Sequence, residues 1–447
     1  MSGTRSKTPG PQPMAALAEM SGYRATRSPI PAPIRLDGNE GRLPPPHILA
    51  AVERAGPEVL RRYPNKATLE ARLAKRAGVA PENLLVANGA DDALDRIARA
   101  YVGTGRSLVT AGPTFEMIER FVTIAGGRFI EVPWWSEPFP LEAIRSAVEP
   151  NTSAIAAVTP NNPTGLSATY DEVAALATEY PDRLIVADLA YAEFANEDLT
   201  PRLLAHDNVV ITRTLSKAWS LAGARVGYVL AGNRSLIDHL RNAGGPFPVS
   251  GPSLAIAEAW LDAGLDHVTE SRTAVLAERS ELAGLLERLG AQPFPSQANY
   301  VCARYRDVQW VYDAVASTGI AIRAFTDKPK LRDCARITCP QDRDVFERLS
   351  RALVGALAPK GICVDKHVDG VDVGALRAAG ITVQVADAPE PYGWWIGLEP
   401  THAGRERGAV TFVYGMETED AQRGGSARAF TSTDEIIQAW KTVGVRP

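Results

Sequence analysis

One lysine of this chain sits where covalent chemistry is possible. Lys217 follows Asn208-Val-Val-Ile-Thr-Arg213, a β-branched run that reads as a buried strand. Small and hydroxylated residues flank it in Thr214-Leu-Ser-Lys-Ala-Trp-Ser-Leu-Ala-Gly-Ala-Arg-Val-Gly-Tyr228. An amine at the mouth of a sheet can form a Schiff base with a carbonyl compound. Ser216 and Arg225 add a hydroxyl and a guanidinium, which suit a phosphate group. Upstream, Glu82–Asn88 reads as a strand entering Gly89-Ala90-Asp91-Asp92 and then a helix. A glycine turn that opens a helix gathers unpaired N–H groups and the positive dipole end, which makes a phosphate cradle. Asp188 ends another apolar run, Arg183-Leu-Ile-Val-Ala187, where an unpaired carboxylate is costly.

These groups need a scaffold that brings them together. Ala154–Val158 ends in Thr159-Pro-Asn-Asn-Pro-Thr-Gly165, the Asp188 run ends in Asp188-Leu-Ala-Tyr191, and the third run delivers Lys217. Helical patterns such as Tyr170–Thr178 lie between them. Alternating strands and helices imply a largely parallel sheet with helices on both faces, and such sheets bind ligands beyond the carboxyl ends of their strands. All three polar ends are therefore expected to face one crevice. Past residue 260 the pattern changes: helices over Ala255–Leu265 and Thr273–Leu289, strands over Ala298–Ala303, Gly319–Arg323 and Cys334–Thr338, then a helix over Asp342–Leu353. This predicts a second, smaller α+β domain.

The 447 residues favour two or three domains, and a formal net charge of −4 gives no electrostatic case for nucleic acid or an anionic membrane. No apolar run is long enough to span a bilayer, and the N-terminus lacks the apolar core of a signal peptide. Cys302, Cys334, Cys339 and Cys363 form no C-x-x-C pair and no cluster with histidine, so reduced thiols in a cytoplasmic protein without a metal site are expected. Residues 1–30 read as an arm, with residues 1–13 disordered or mobile.

The string S-K-x-x-x-L-A-G-x-R-x-G-Y resembles the cofactor-lysine motif of class I/II, fold-type I aminotransferases that use pyridoxal 5′-phosphate (PLP). Within them it is most similar to the histidinol-phosphate aminotransferase branch, as are the strings around Leu36–Glu40 (L-x-x-N-E), Arg62-Tyr63-Pro64, Asn162-Pro-Thr-Gly165 and Asp188-Leu-Ala-Tyr191. The resemblance runs from about Arg35 to about Leu357. It implies that Lys217 holds PLP and shuttles a proton, and that Asp188 pairs with the protonated pyridine nitrogen. Tyr191 and Asn162 would bond the ring hydroxyl. Gly89, Ala90, Asp91, Ser216 and Arg225 would bind the phosphate, joined across a homodimer interface by the neighbouring subunit's Tyr63. It makes Phe115 a ring-stacking candidate, against the alternative of a core phenylalanine, and makes Arg336 and Asn39 substrate contacts. An amino donor and a 2-oxo acid acceptor would be the partners. Because fold type I supports several reactions, a PLP lyase, decarboxylase or amino-acid oxidase is the nearest alternative. A non-catalytic binding or regulatory protein is the second, opposed by the intact set Asn162, Asp188, Tyr191, Lys217 and Arg225.

The expected organisation is an aminotransferase body over residues 31–358, with a large domain over about 50–260. The small domain would comprise 31–49 and 261–358. Residues 359–447 are left as an appended α/β module, with strands at Ile381–Val385 and Gly408–Tyr414, a helix end at Ala375–Gly380, and a Ser432–Glu435 capping box before Ile436–Trp440. The module faintly resembles a haloacid-dehalogenase-type phosphatase through Ile362-Cys-Val-Asp-Lys-His-Val-Asp-Gly370 and Gly415–Ala421. The Asp-x-Asp spacing is lost between Asp365 and Asp369, and Met416 stands where a metal-side Asp belongs. The tail is then either a degenerate, non-catalytic remnant or an unrelated module that caps the small domain or the dimer; a working phosphatase is the third possibility.

Overall fold

The computed structural model describes residues 11, 13–18, 20–22, 32–388, 393–398, 409–416, 421, 426 and 428–443. Most of the expected N-terminal arm, and most of the Gly415–Ala421 turn, lie outside them. The first strand, β1 (Ile34–Arg35), precedes a large α/β unit built on seven strands: β2 (Leu84–Ala87), β3 (Ser107–Gly112), β4 (Arg128–Pro133), β5 (Thr152–Val158), β6 (Leu184–Asp188), β7 (Val209–Thr214) and β8 (Gly227–Leu230). Their order is β2-β8-β7-β6-β5-β3-β4, and only β8 runs against its neighbours. β2, β3, β6 and β7 are buried at every position, which is why they read as continuous apolar runs. Separate apolar clusters fill the two faces, as a sheet covered by helices on both sides requires. The strand β4 was not legible in the sequence; it is a half-exposed edge strand containing Arg128 and Glu131.

The second unit holds β9 (Gln292–Pro293), β10 (Tyr300–Arg304), β11 (Ile320–Ala321), β12 (Arg323–Ala324) and β13 (Cys334–Thr338). Four of these form an antiparallel sheet in the order β12-β13-β10-β9. The N-terminal segment, expected in the small domain, does not add a strand to that sheet; among the described residues β1 pairs with β11 in a separate parallel ladder. One long helix, Leu265–Arg288, leads into this unit and begins eight residues before the expected Thr273.

The tail folds as an all-parallel sheet of β14 (Ile362–Asp365), β15 (Val383–Ala386), β16 (Trp394–Gly397), β17 (Val410–Tyr414) and β18 (Ala429–Phe430). The order is β15-β14-β16-β17-β18, an order typical of doubly wound sheets. It packs on the helices Val308–Ser317 and Arg343–Leu357, and one apolar cluster runs through both units. Trp310, Trp394, Phe412, Phe430 and Trp440 form its centre, with ring centroids 5.0–6.5 Å apart. The indole N–H groups of Trp310 and Trp394 donate to the carbonyls of Ala356 (2.8 Å) and Gly355 (3.0 Å). Gly355 stands against Val410, and a Cβ there would meet the valine Cγ2 at 3.0 Å, closer than ordinary van der Waals contact. The helix Val308–Ser317 is consequently buried between two sheets over nearly its whole length.

Candidate active site

A cavity of about 1460 Å³ opens beyond the carboxyl ends of β5, β6 and β7, the crevice the sequence pointed to. Segment 37–40 and strand β13 close it from the other side.

β7 ends at Thr214, whose Oγ1 accepts from the Ser216 amide (3.1 Å) and donates to Ser216 Oγ (2.9 Å), turning the chain so that Lys217 enters the cavity. Lys217 Nζ donates to the Gly38 carbonyl (3.2 Å) and lies 5.6 Å from the centre of the Tyr191 ring. Tyr191 is fixed by Asn39, whose Nδ2 donates to its hydroxyl (2.9 Å), and by an edge-on contact with Tyr300 (5.3 Å). Asn39 is 1% exposed, and its Oδ1 accepts from Thr338 (3.1 Å), so both ends of its amide are engaged by protein. In this geometry Asn39 braces Tyr191.

Asp188, the last residue of β6, is buried and accepts from Thr212 Oγ1 (2.9 Å) and the Ala190 amide (3.2 Å). Burial pushes its carboxyl up to about 6, against those two hydrogen bonds and the nearby Lys217 charge. Among the described residues no cation is paired with it, which leaves a place for a cationic partner from a ligand.

At the far end Gly89, with φ +75°, opens the helix Gly89–Tyr101. The backbone angle requires glycine here, and a side chain at this position would also displace the Arg225 guanidinium. Arg225 donates to Asp91 Oδ2 (2.9 Å) and to the Ala222 carbonyl (3.3 Å). A carboxylate only accepts, so Asp91 aims Arg225 with its side chain and can offer an anion only its backbone N–H. The first-turn amides, Ser216 Oγ and Arg225 together suit a phosphate.

Arg336 on β13 donates to Asn162 Oδ1 and to the Asp37 carbonyl (2.8 Å), and its guanidinium lies 5.2 Å from the Tyr300 ring centre. Its Nε is buried without a hydrogen-bond partner. Because arginine only donates, Asn162 must present its carbonyl there and turn its NH₂ elsewhere. Phe115 lines the cavity and also packs on the sheet core, so both readings of it fit. Tyr63 does not line the cavity of its own chain: it is 81% exposed and stacks on Phe247 at 4.7 Å.

The sequence reading missed Thr212, Thr214 and Tyr300. Thr212 was hidden inside the run read as a strand and Thr214 was noted only as a flanking hydroxyl, although hydroxyls two residues apart on one face were a signal. Tyr300 sat in a run read only as a strand; its hydroxyl donates to the Asn161 carbonyl (2.7 Å) and secures the loop before Asn162.

A buried carboxylate lacking a cation, an amine, and an anion cradle in one cavity fit a pyridine carrying an aldehyde and a phosphate. The chain is 36% identical over 326 residues to histidinol-phosphate aminotransferase 1 of Bradyrhizobium diazoefficiens, covering 69% of this chain and 89% of that one. It is 33% identical over 342 residues to histidinol-phosphate aminotransferase of Stenotrophomonas maltophilia, covering 73% and 92%. Histidinol-phosphate aminotransferase of Sinorhizobium meliloti, solved in complex with pyridoxal-5′-phosphate, superposes with a TM-score of 0.66 at 26% identity, covering 78% of this chain and 99% of that one. An aspartate aminotransferase variant of Thermus thermophilus shares the fold at a TM-score of 0.67 and 20% identity, over 76% and 98%. Residues 35–353 match the model for aminotransferase class I and II, and the chain belongs to that family as a PLP-dependent aminotransferase of fold type I.

Proposed function

We propose that this aminotransferase takes an amino donor with an anionic tail, of the kind histidinol phosphate or glutamate carries, and passes the amino group to a 2-oxo acid. Arg336 carries this reading: a buried guanidinium on the cavity wall, anchored through both Nη atoms, with Nε unpartnered. Among the described residues no carboxylate pairs with it, so its charge is left for an oxyanion in the cavity to balance. Arg323 pairs with Arg336 in register across β12 and β13, and its Nη1 is likewise buried without a partner. The names of the most similar relatives point the same way.

PLP, when bound, supplies an aldehyde for amines and a ring that takes up the electron pair of the substrate carbon. In this reading Lys217 anchors the cofactor and moves the proton at the substrate's α carbon. Asp188 holds the proton on the ring nitrogen, and Tyr191 and Asn162 donate toward the ring oxygen. Phe115 covers a ring face, while the Gly89–Asp91 turn, Ser216 and Arg225 hold the phosphate.

The same reading makes the chain a cytoplasmic homodimer; no described helix is long and apolar enough to cross a membrane. Its support is an exposed apolar group around Tyr63 that includes Leu60 and Phe247, at 75% and 50% exposure. Residues 359–447 we read as a non-catalytic module built into the small unit's core. The decisive experiment is a single-turnover donor screen on PLP-loaded protein, following the visible lysine–cofactor band. The band should disappear with histidinol phosphate or glutamate and return with 2-oxoglutarate. A band that persists with every donor, or decays with CO₂ release or O₂ uptake, overturns the reading.

A further inference from the structure

The Lys217 loop is held from behind by groups outside the cofactor cavity. Ser220 has φ +59°, a left-handed conformation that is strained by roughly 1–2 kcal/mol for a residue with a side chain, and its amide donates to the Lys217 carbonyl (3.0 Å). Such a conformation persists only where surrounding contacts over-determine it. Two do so here. Gly41 lies against the Lys217 carbonyl and Ser220 with no room for a Cβ. Ser220 Oγ is 2.9 Å from Nε2 of His267, a buried residue on the helix Leu265–Arg288. Arg42, next to Gly41, donates to His267 Nδ1 (3.3 Å) and also bonds Glu270, one turn along the same helix. Arginine has no acceptor, so Nδ1 must carry the lone pair; the ring is neutral and Nε2–H donates to Ser220. Burial and the Arg42 charge both disfavour protonation of this imidazole, which agrees with that tautomer. Trp260 seats the ring edge-on at 5.3 Å and donates its own Nε1–H to the Trp219 carbonyl (3.0 Å), a second tie to the loop.

We infer that His267 is a positioning residue for Lys217, tying the lysine loop through Ser220 to segment 38–42 through Arg42. The inference rests on the reading of Lys217 as the cofactor lysine. Segment 38–42 supplies the carbonyl that receives Lys217 Nζ and the Asn39 amide that braces Tyr191, so the tie fixes both ends of one constellation. The test compares His267→Phe, which keeps a ring against Trp260 but deletes both hydrogen bonds, with His267→Gln, which restores a donor toward Ser220. In PLP-free protein, His267→Phe should speed amide exchange at Ser220 and Leu221 by about tenfold, the effect of losing one hydrogen bond. In loaded protein it should lower kcat by about 10- to 100-fold with KM changed by less than about threefold, as a displaced reacting group does. His267→Gln should recover most of both. Wild-type exchange and kcat in His267→Phe overturn the inference, as does acceleration spread evenly over the protein with Gln no better than Phe. If the wild type forms no visible band with PLP, the Lys217 reading itself falls.

Discussion

Two sheets in this chain, one mostly and one wholly parallel, end in different ways. β6 and β7 deliver Asp188 and Lys217 into a cavity because β13 and segment 37–40 stand across their carboxyl ends. β14 also ends in polar residues, Asp365, Lys366 and His367, and these pair among their neighbours: His367 Nδ1 with Asp365 (2.9 Å) and Lys366 with Asp387. No grouping of His, Cys, Asp or Glu suited to a metal ion occurs among the described residues. The carboxyl edge of a parallel sheet is thus a place where a site can be built. It becomes one only where a second element encloses it and leaves polar groups unpaired for a ligand. The tail sheet contributes burial instead, resting on helices that the small unit already provides.

The sharpest break in that comparison comes from Lys217→Ala, expected to lower kcat by about 10⁴-fold while the fold is kept, measured by single-turnover transamination. Next is Trp394→Ala in the tail, expected to remove about 3–5 kcal/mol of stability in denaturant unfolding, because a fully buried indole and its bond to Gly355 are lost. The two variants should separate chemistry from stability: the first leaves unfolding near wild type, the second leaves kcat near wild type where the protein is folded.

Asp188 gives the pH arm. Its folded-state value is raised from 3.8 to about 6, so ionisation inside the protein is penalised. Below about pH 4 it is protonated in both states and no penalty exists; above about 6 the penalty is complete, roughly 3 kcal/mol for a shift of about two units. PLP-free protein should therefore lose stability as pH rises from about 4 to 6, and Asp188→Asn should lose less over that range, so that the difference between the two proteins changes by up to about 3 kcal/mol. Glu278 and Asp313, raised by burial to about 7 and about 6, contribute the same sign in both and cancel. Binding PLP should reduce the loss. A smaller effect is expected for Arg336→Gln: a KM for the anionic donor raised by about 10- to 100-fold with PLP affinity almost unchanged, since one charge-assisted contact is removed. Equal weakening of cofactor and donor would place Arg336 elsewhere in the mechanism. The smallest belongs to Asp365→Asn and Asp369→Asn, which should leave transamination unaltered and stability within about 0.5 kcal/mol. Phosphate release from a phosphate ester in Mg²⁺, lost in either variant, would instead make the tail a working phosphatase.

The large sheet was legible because its strands are short apolar runs ending in polar strings, and those strings are local in sequence. Eleven of the expected contacts, Lys217, Asp188 and Arg336 among them, border one cavity. Illegible were the contacts made between distant elements: Thr212 on Asp188, Tyr300 on the Asn161 loop, and His267 behind Lys217. Each lies in a segment whose pattern announced only a strand or a helix, and pattern does not tell which neighbour a hydroxyl or imidazole will meet. Asn39 shows the converse. Its string resembled a substrate contact, while its amide is occupied by Tyr191 and Thr338.

By itself, the sequence determined the chemistry on offer: an amine, a strand-end carboxylate and a glycine turn, each fixed by local residue type and by period-2 or period-3.6 patterning. Tertiary structure decided what no local pattern contains. It placed β1 beside β11 rather than in the four-stranded sheet, set Arg323 beside Arg336, and seated the tail on Val308–Ser317 and Arg343–Leu357. Such contacts depend on burying apolar surface between segments far apart in the chain, and that free energy belongs to the pair rather than to either sequence alone.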